Sequence, residues 1–130
     1  MLQKQIISTQ QAPGAVGPYS QGVRIGDLVY TAGQIALIPQ TGKLIDGGIE
    51  EQTEQVMKNL AAILEAAGTS LVNVVKTTIF LTDMNDFAKV NQVYGSFFHD
   101  APPARSTVQV SALPLGARVE IEAIATLTQA

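Results

Sequence analysis

Cysteine is absent from the 130 residues, and histidine occurs once. Without thiols there is no disulfide framework, no thiolate nucleophile and no Cys-ligated metal, and one imidazole cannot build a His-rich metal site. Charge is scarce too: Asp, Glu, Lys and Arg make up 15% of the chain, against roughly 25% in an average soluble protein. A small domain is mostly surface, so a shortage of charge implies that part of the surface is covered by another subunit. The 8 Lys and Arg against 11 Asp and Glu leave a net charge of −3 and no basic cluster able to displace counterions from a phosphate backbone. Nucleic acid is therefore not an expected partner. No apolar run approaches the length needed to span a bilayer, and residues 1–7 lack the long apolar core of a signal peptide. The expectation is a cytoplasmic protein without membrane contact.

What is present is a chain that reads as a single domain over residues 1–130, long enough to bury about two-thirds of the surface of its unfolded form. A short strand over 5–8 leads into a Gly- and Pro-rich loop at 13–18. Strand patterns over 21–25 and 28–33 flank Gly26-Asp27, a pair suited to a two-residue hairpin because glycine reaches positive φ without steric cost. Residues 39–48 read as an exposed loop. From 50 to 67 the apolar residues Val56, Leu60, Ile63, Leu64 and Ala67 recur every three or four positions, with Glu50, Glu51 and Glu54 near the start and Gly68 after the end. That is an amphipathic helix with acids at its positive pole and glycine past its last turn. The β-branched run 74–81 reads as an inner strand. Asp83 and Asn85 can cap a second helix, whose stripe Phe87, Val90, Tyr94, Phe97 and Phe98 extends to about His99 and Asp100 before Pro102-Pro103 stops it. Two more strands over 105–110 and 119–125 complete a mixed sheet with both helices on one face, an α+β arrangement.

The last quarter carries the candidate chemistry. Arg105 follows two prolines and presents a planar fork of donors that matches a carboxylate; the alternative is a surface arginine paired for structure. Glu120 and Glu122 alternate with Val119, Ile121 and Ala123, giving one apolar face and one face with two carboxylates. A carboxylate in a cleft can take a proton from water, whereas one on an open sheet face is merely solvated. If strands 105–110 and 119–125 form a hairpin with Val110 opposite Val119, then Arg105, Thr107 and Gln109 share a face with both glutamates. Tyr19, in a Gly-Pro turn, either lies over a ligand or covers a sheet edge, and Asn91 flanks the second helix's apolar stripe. His99 is given no catalytic role, and Gly47-Gly48 is not a phosphate loop, since no strand precedes it and no Lys-Ser/Thr follows.

Six short motifs occur in order along nearly the whole chain: Gly17-Pro18-Tyr19-Ser20-Gln21-Gly22, Thr31-Ala32-Gly33-Gln34-Ile35, Asn73-Val74-Val75-Lys76-Thr77-Thr78, Asp86-Phe87-Ala88-Lys89-Val90-Asn91, Pro103-Ala104-Arg105-Ser106 and Val119-Glu120-Ile121-Glu122-Ala123-Ile124-Ala125. Together they closely resemble the RidA (YjgF) family of reactive-intermediate deaminases. The resemblance implies a chorismate-mutase-like α+β fold with a six-stranded mixed sheet, assembled as a homotrimer with ligand clefts at the subunit interfaces. It implies hydrolysis of 2-aminoacrylate, 2-iminopropanoate and 2-iminobutanoate to 2-oxo acids and ammonia, a metabolite damage-control reaction needing no cofactor and no metal. Carried over to matching positions, Arg105 would clamp the substrate carboxylate and Glu120 would activate water, while Tyr19, Gly33, Asn91 and Thr107 would line the pocket. Ala32 stands where many members have Ser, and Thr107 where many have Cys. Because backbone groups near the latter position are the ones used, Thr107 is expected to be tolerated, and Ala32 to shift substrate preference.

Three other activities compete. A non-catalytic regulatory trimer could bind small carboxylates in the same cleft, with the arginine sufficient and the glutamate superfluous. A ribonuclease or translation inhibitor is disfavoured by the acidic balance and lone histidine. Chorismate mutase chemistry would need several cations for a dicarboxylate, and only Arg24, Arg105 and Arg118 are available among the arginines.

Overall fold

The computed structural model describes residues 2–127. Six strands run in the order β1 (Gln5–Ile7), β2 (Gly22–Ile25), β3 (Leu28–Thr31), β6 (Val119–Thr126), β4 (Val74–Leu81) and β5 (Ala104–Gln109) across a single sheet. All neighbours are antiparallel except β4 and β5, which are parallel and joined through a helix. Two helices, α1 (Ile49–Ala66) and α2 (Phe87–Gly95), complete the fold. Among the described residues no helix is long and apolar enough to cross a membrane.

Local sequence explains most of these elements. Ile25 pairs with Leu28 across Gly26-Asp27, and Gly26 adopts φ 57, the left-handed conformation expected of a two-residue hairpin. At the start of α1 the Glu51 carboxylate accepts from the Gly48 N–H at 2.7 Å, satisfying a donor the helix cannot pair itself. At the other end Gly68 has φ 91. The stripe Val56, Leu60, Ile63 and Leu64 is fully buried in one cluster with Val29, Ile79, Ile121 and Ala125, so α1 covers the sheet face to which those strand residues point. This burial is the main stabilising term, at about 1.5–3 kcal/mol for each large aliphatic side chain.

Two expectations are corrected. The second helix ends at Gly95, short of His99, because glycine is a poor helix former and the Ser96 hydroxyl donates back to the Val93 carbonyl. Residues 96 and 97 continue only as a turn. Asp83 caps as expected, accepting from Asn85 N at 2.9 Å, but the structure it caps is a single 3-10 turn, Met84–Asp86, leading into α2.

The larger correction concerns the last two strands. β5 and β6 do not pair. β4 lies between them, with Leu81 opposite both Gln109 and Val119 and Thr77 opposite both Arg105 and Ala123. The Pro114–Gly116 turn and the residues around it make a wide connection across β4.

Candidate functional site

Register assigns the chemical side chains to faces. Arg105, Thr107 and Gln109 lie in rows with Thr77, Ile79 and Leu81, whose side chains are buried under the helices. Glu120 and Glu122 lie in rows with Phe80 and Thr78, on the face the helices leave open. Arg105 and Glu120 thus occupy opposite faces of the same sheet, contrary to the hairpin expectation. Within the chain they belong to two separate groups.

The first group lines a cavity of about 830 Å³. Glu120 and Tyr19 line it, with Gly33, Val16, Ile35 and Leu115 among its walls. Gln34 and Ile121 exchange both backbone hydrogen bonds, 2.9 and 3.1 Å, which lays the preceding Gly33 against Glu120. A Cβ on Gly33 would fall 2.8 Å from Glu120 Cδ, so a side chain there would displace the carboxylate from this position. Burial raises the Glu120 pKa from its ordinary value of 4.5, and the Glu122 charge two residues along adds to the effect. Tyr19 is held by its own loop: its N–H donates to Gly17 O at 2.8 Å, and its phenol oxygen accepts from Val16 N at 3.3 Å. Ala32 also lines the cavity, without a hydroxyl. A neighbouring cavity of about 870 Å³ along residues 6–15 shares Tyr19 but has no acid or basic side chain in its lining.

The second group surrounds Arg105. Its guanidinium lies 5.4 Å from the Phe87 ring centroid and 5.2 Å from that of Tyr94, and one Nη donates to Asn91 Oδ1 at 2.7 Å. Phe87, Asn91 and Tyr94 stand at i, i+4 and i+7 on one face of α2. Burial pushes the Tyr94 phenol up from 10.0, against the opposing effects of its bond to Thr77 and the Arg105 charge, so the ring is neutral at physiological pH. Thr107 Oγ1 is buried and has no hydrogen-bond partner among the described residues. Arg105 likewise forms no ion pair among them, where Arg118 is tied to Asp86 and Lys58 to Glu54.

Of the residues expected at the site, Tyr19, Gly33 and Glu120 gather on one side, and Asn91, Arg105 and Thr107 on the other. Phe87 and Tyr94 read from sequence only as core stripe; their shared spacing with Asn91 was the available signal. Among the described residues no group of acidic or histidine side chains is placed to hold a metal ion.

A family model described as Endoribonuclease L-PSP matches residues 9–127. The chain belongs to that family, the RidA (YjgF) family. Among curated RidA relatives, "Reactive Intermediate Deaminase A, chloroplastic" of Arabidopsis thaliana is 52% identical over 97% of this chain and 67% of its own length. The "2-iminobutanoate/2-iminopropanoate deaminase" of Mus musculus is also 52% identical, over 94% of this chain and 90% of its own. Among solved structures, Escherichia coli TdcF with bound serine superposes with a TM-score of 0.91 at 46% identity, covering 95% of this chain and 99% of that one. The RidA fold expected from the sequence is the one observed.

Proposed function

We propose that this protein hydrolyses small 2-imino acids to 2-oxo acids and ammonia, in clefts formed where subunits of a homotrimer meet. The observation that carries the proposal is the separation of Arg105 and Glu120 on opposite faces of one sheet. Arg105, without an ion pair among the described residues, and the partly desolvated Glu120 carboxylate can act on one small molecule only if the second comes from a neighbouring protomer. The open sheet face supports such assembly. Ile6, Val23, Tyr30 and Ile124 stand in one cross-strand row on it, with Ile6 56% and Tyr30 42% exposed.

In this mechanism the Arg105 N–H groups not engaged by Asn91 hold the substrate carboxylate in two parallel charge-assisted bonds. The iminium carbon is already electrophilic. Water adds to it as Glu120 takes a proton, giving a neutral amino alcohol. Glu120 then returns the proton to the nitrogen, the C–N bond breaks as the hydroxyl becomes a carbonyl, and ammonia leaves with the remaining hydroxyl proton as ammonium. A carboxylate whose pKa is raised by burial is the stronger base for the first transfer and a competent acid for the second. Positioning accounts for much of the acceleration. Tyr19 and Gly33 bound the cleft on the Glu120 side. Thr107 stands two residues along β5 from Arg105 on the same face, with its hydroxyl oxygen buried and its backbone available at the strand edge. The deaminase names of the mouse and Arabidopsis relatives favour the same chemistry.

The deciding assay generates 2-iminobutanoate with a threonine dehydratase in amine-free buffer. Faster appearance of 2-oxobutanoate with this protein is expected, and no acceleration would sink the enzyme reading. Light scattering giving a monomer would sink the shared cleft.

A further inference from the structure

Arg105 stands on β5, at the edge of the sheet, and its long side chain would be free to sample many rotamers if nothing held it. Its guanidinium is nonetheless already confined on several sides. Phe87 and Tyr94 present ring faces at 5.4 and 5.2 Å, and Asn91 accepts one N–H at 2.7 Å. The Tyr94 ring is itself fixed. It is 5% exposed, packs on Phe98 at a centroid distance of 4.9 Å, and its hydroxyl lies 2.7 Å from Thr77 Oγ1.

Thr77 is the strand partner of Arg105 in the parallel β4–β5 pairing and is 1% exposed. The same residue therefore neighbours the arginine backbone and anchors the ring on which the arginine head rests. The contacts close a circuit from β4 to α2 to β5 and back. Packing alone does not require the two hydroxyls, since phenylalanine and valine would fill the same space. What the hydroxyl pair adds is a directional restraint on the ring.

We infer that Tyr94, anchored by Thr77, is a positioning residue that holds the Arg105 guanidinium in its ligand-binding orientation before a carboxylate arrives. The inference rests on the proposed role of Arg105 as carboxylate clamp. A guanidinium ordered in advance loses less freedom on binding, so the benefit falls on affinity. The carboxylate is unchanged during imine hydrolysis, so loosening Arg105 should raise KM and leave kcat nearly unaltered.

The test measures the affinity of the wild-type protein and of the Tyr94→Phe, Thr77→Val and Arg105→Ala variants for 2-oxobutanoate and for its neutral amide, by titration calorimetry. Tyr94→Phe and Thr77→Val are each expected to weaken 2-oxobutanoate binding about fivefold. Because both remove the same bond, the double variant should bind no worse than either single one. Amide binding should not change, and Tyr94→Phe should raise KM with kcat within about twofold of wild type. A folded Tyr94→Phe or Thr77→Val protein that binds 2-oxobutanoate as tightly as wild type would overturn the inference. If the buried threonine change prevents folding, Phe87→Leu tests the other ring on a half-buried residue and should weaken oxo-acid but not amide binding; unchanged oxo-acid binding also counts against the holder. Wild-type affinity in Arg105→Ala would overturn it by removing the clamp. Failure of imine hydrolysis in the wild type, with the binding series as expected, would instead remove the proposed reaction and leave the holder standing.

Discussion

Glu120 lies with its carboxylate against the backbone of Gly33, in the space where any side chain at that position would have to go. Gly33 therefore leaves free the position the Glu120 carboxylate occupies, and is not simply a patch of the cavity lining. Its backbone lies outside the left-handed region, so alanine is conformationally acceptable there and the conflict is with Glu120 alone.

Gly33→Ala should consequently displace the carboxylate and lower kcat by about 100-fold, since a shift of about 1 Å in a reacting group has that order of effect. Gly22→Ala is the contrast: its Cβ would meet Ile63 Cγ2 at 2.9 Å and Ile7 Cβ at 3.3 Å in the core. Overpacking there should cost about 1–3 kcal/mol of stability with little change in kcat. Thermal melts and steady-state rates on the two variants separate the effects, and equal losses of rate would refute the distinction.

The raised pKa of Glu120 has a definite sign for stability. In the native state it holds its proton to higher pH than in the unfolded chain, so its contribution to stability is fully present below the ordinary value of 4.5 and is lost as pH rises through the native pKa. Glu120→Gln removes that loss. The variant should melt close to wild type near pH 4 and increasingly above it toward neutrality, while losing imine hydrolysis. A difference in melting temperature that does not vary with pH would show that Glu120 is not desolvated. Glu122→Gln removes the neighbouring charge and should move the acid limb of the activity profile to lower pH.

Asn59 joins α1 to the cavity wall. Its side chain is 1% exposed and donates to the carbonyls of Ile35 at 3.2 Å and Leu37 at 3.0 Å. Asn59→Ala leaves these carbonyls without that donor and is expected to cost about 2–4 kcal/mol. Because Ile35 and Leu37 border the cleft, kcat/KM should fall at temperatures well below the melt. Retention of full kcat/KM in a destabilised variant would confine Asn59 to a purely structural role.

Thr107→Val exchanges a buried hydroxyl that has no partner among the described residues for a methyl group of similar size. Removing a polar atom without a partner should leave the melting temperature unchanged or slightly higher. Because this oxygen is buried from solvent, binding of 2-oxobutanoate should be unchanged, with the contact at this position made by the backbone. Binding weakened about fivefold, the effect of one lost hydrogen bond, would show instead that the hydroxyl reaches the ligand.

Much of the architecture was legible from local pattern. The three-and-four spacing from Val56 to Ala67 defined α1, and Gly26-Asp27 defined the hairpin. Each signal depends on residues a few positions apart, the range over which helical and strand periodicity acts. Arg105 and Glu120 were likewise visible as charges in β-rich runs, and family motifs singled out Glu120 from Glu122. The α2 boundary was not legible in this way, because the apolar spacing continues through Phe97 and Phe98 while Gly95 and Ser96 end the helix. Phe87 and Tyr94 looked like core residues, since a ring that holds a cation has the same spacing as a ring that fills a core.

By itself, the sequence determined which residues share a face of each strand or helix, because side-chain direction repeats every two residues in one and every 3.6 in the other. Only the tertiary structure decided which strands are neighbours. β4 comes between β5 and β6, and its pairings place Arg105 in the row of Thr77 and Glu120 in the row of Phe80. Pairing depends on contacts distant in sequence, and a change in register by one residue reverses every side chain in a strand. The alternation that identified both charges could not, for that reason, show that they face opposite ways.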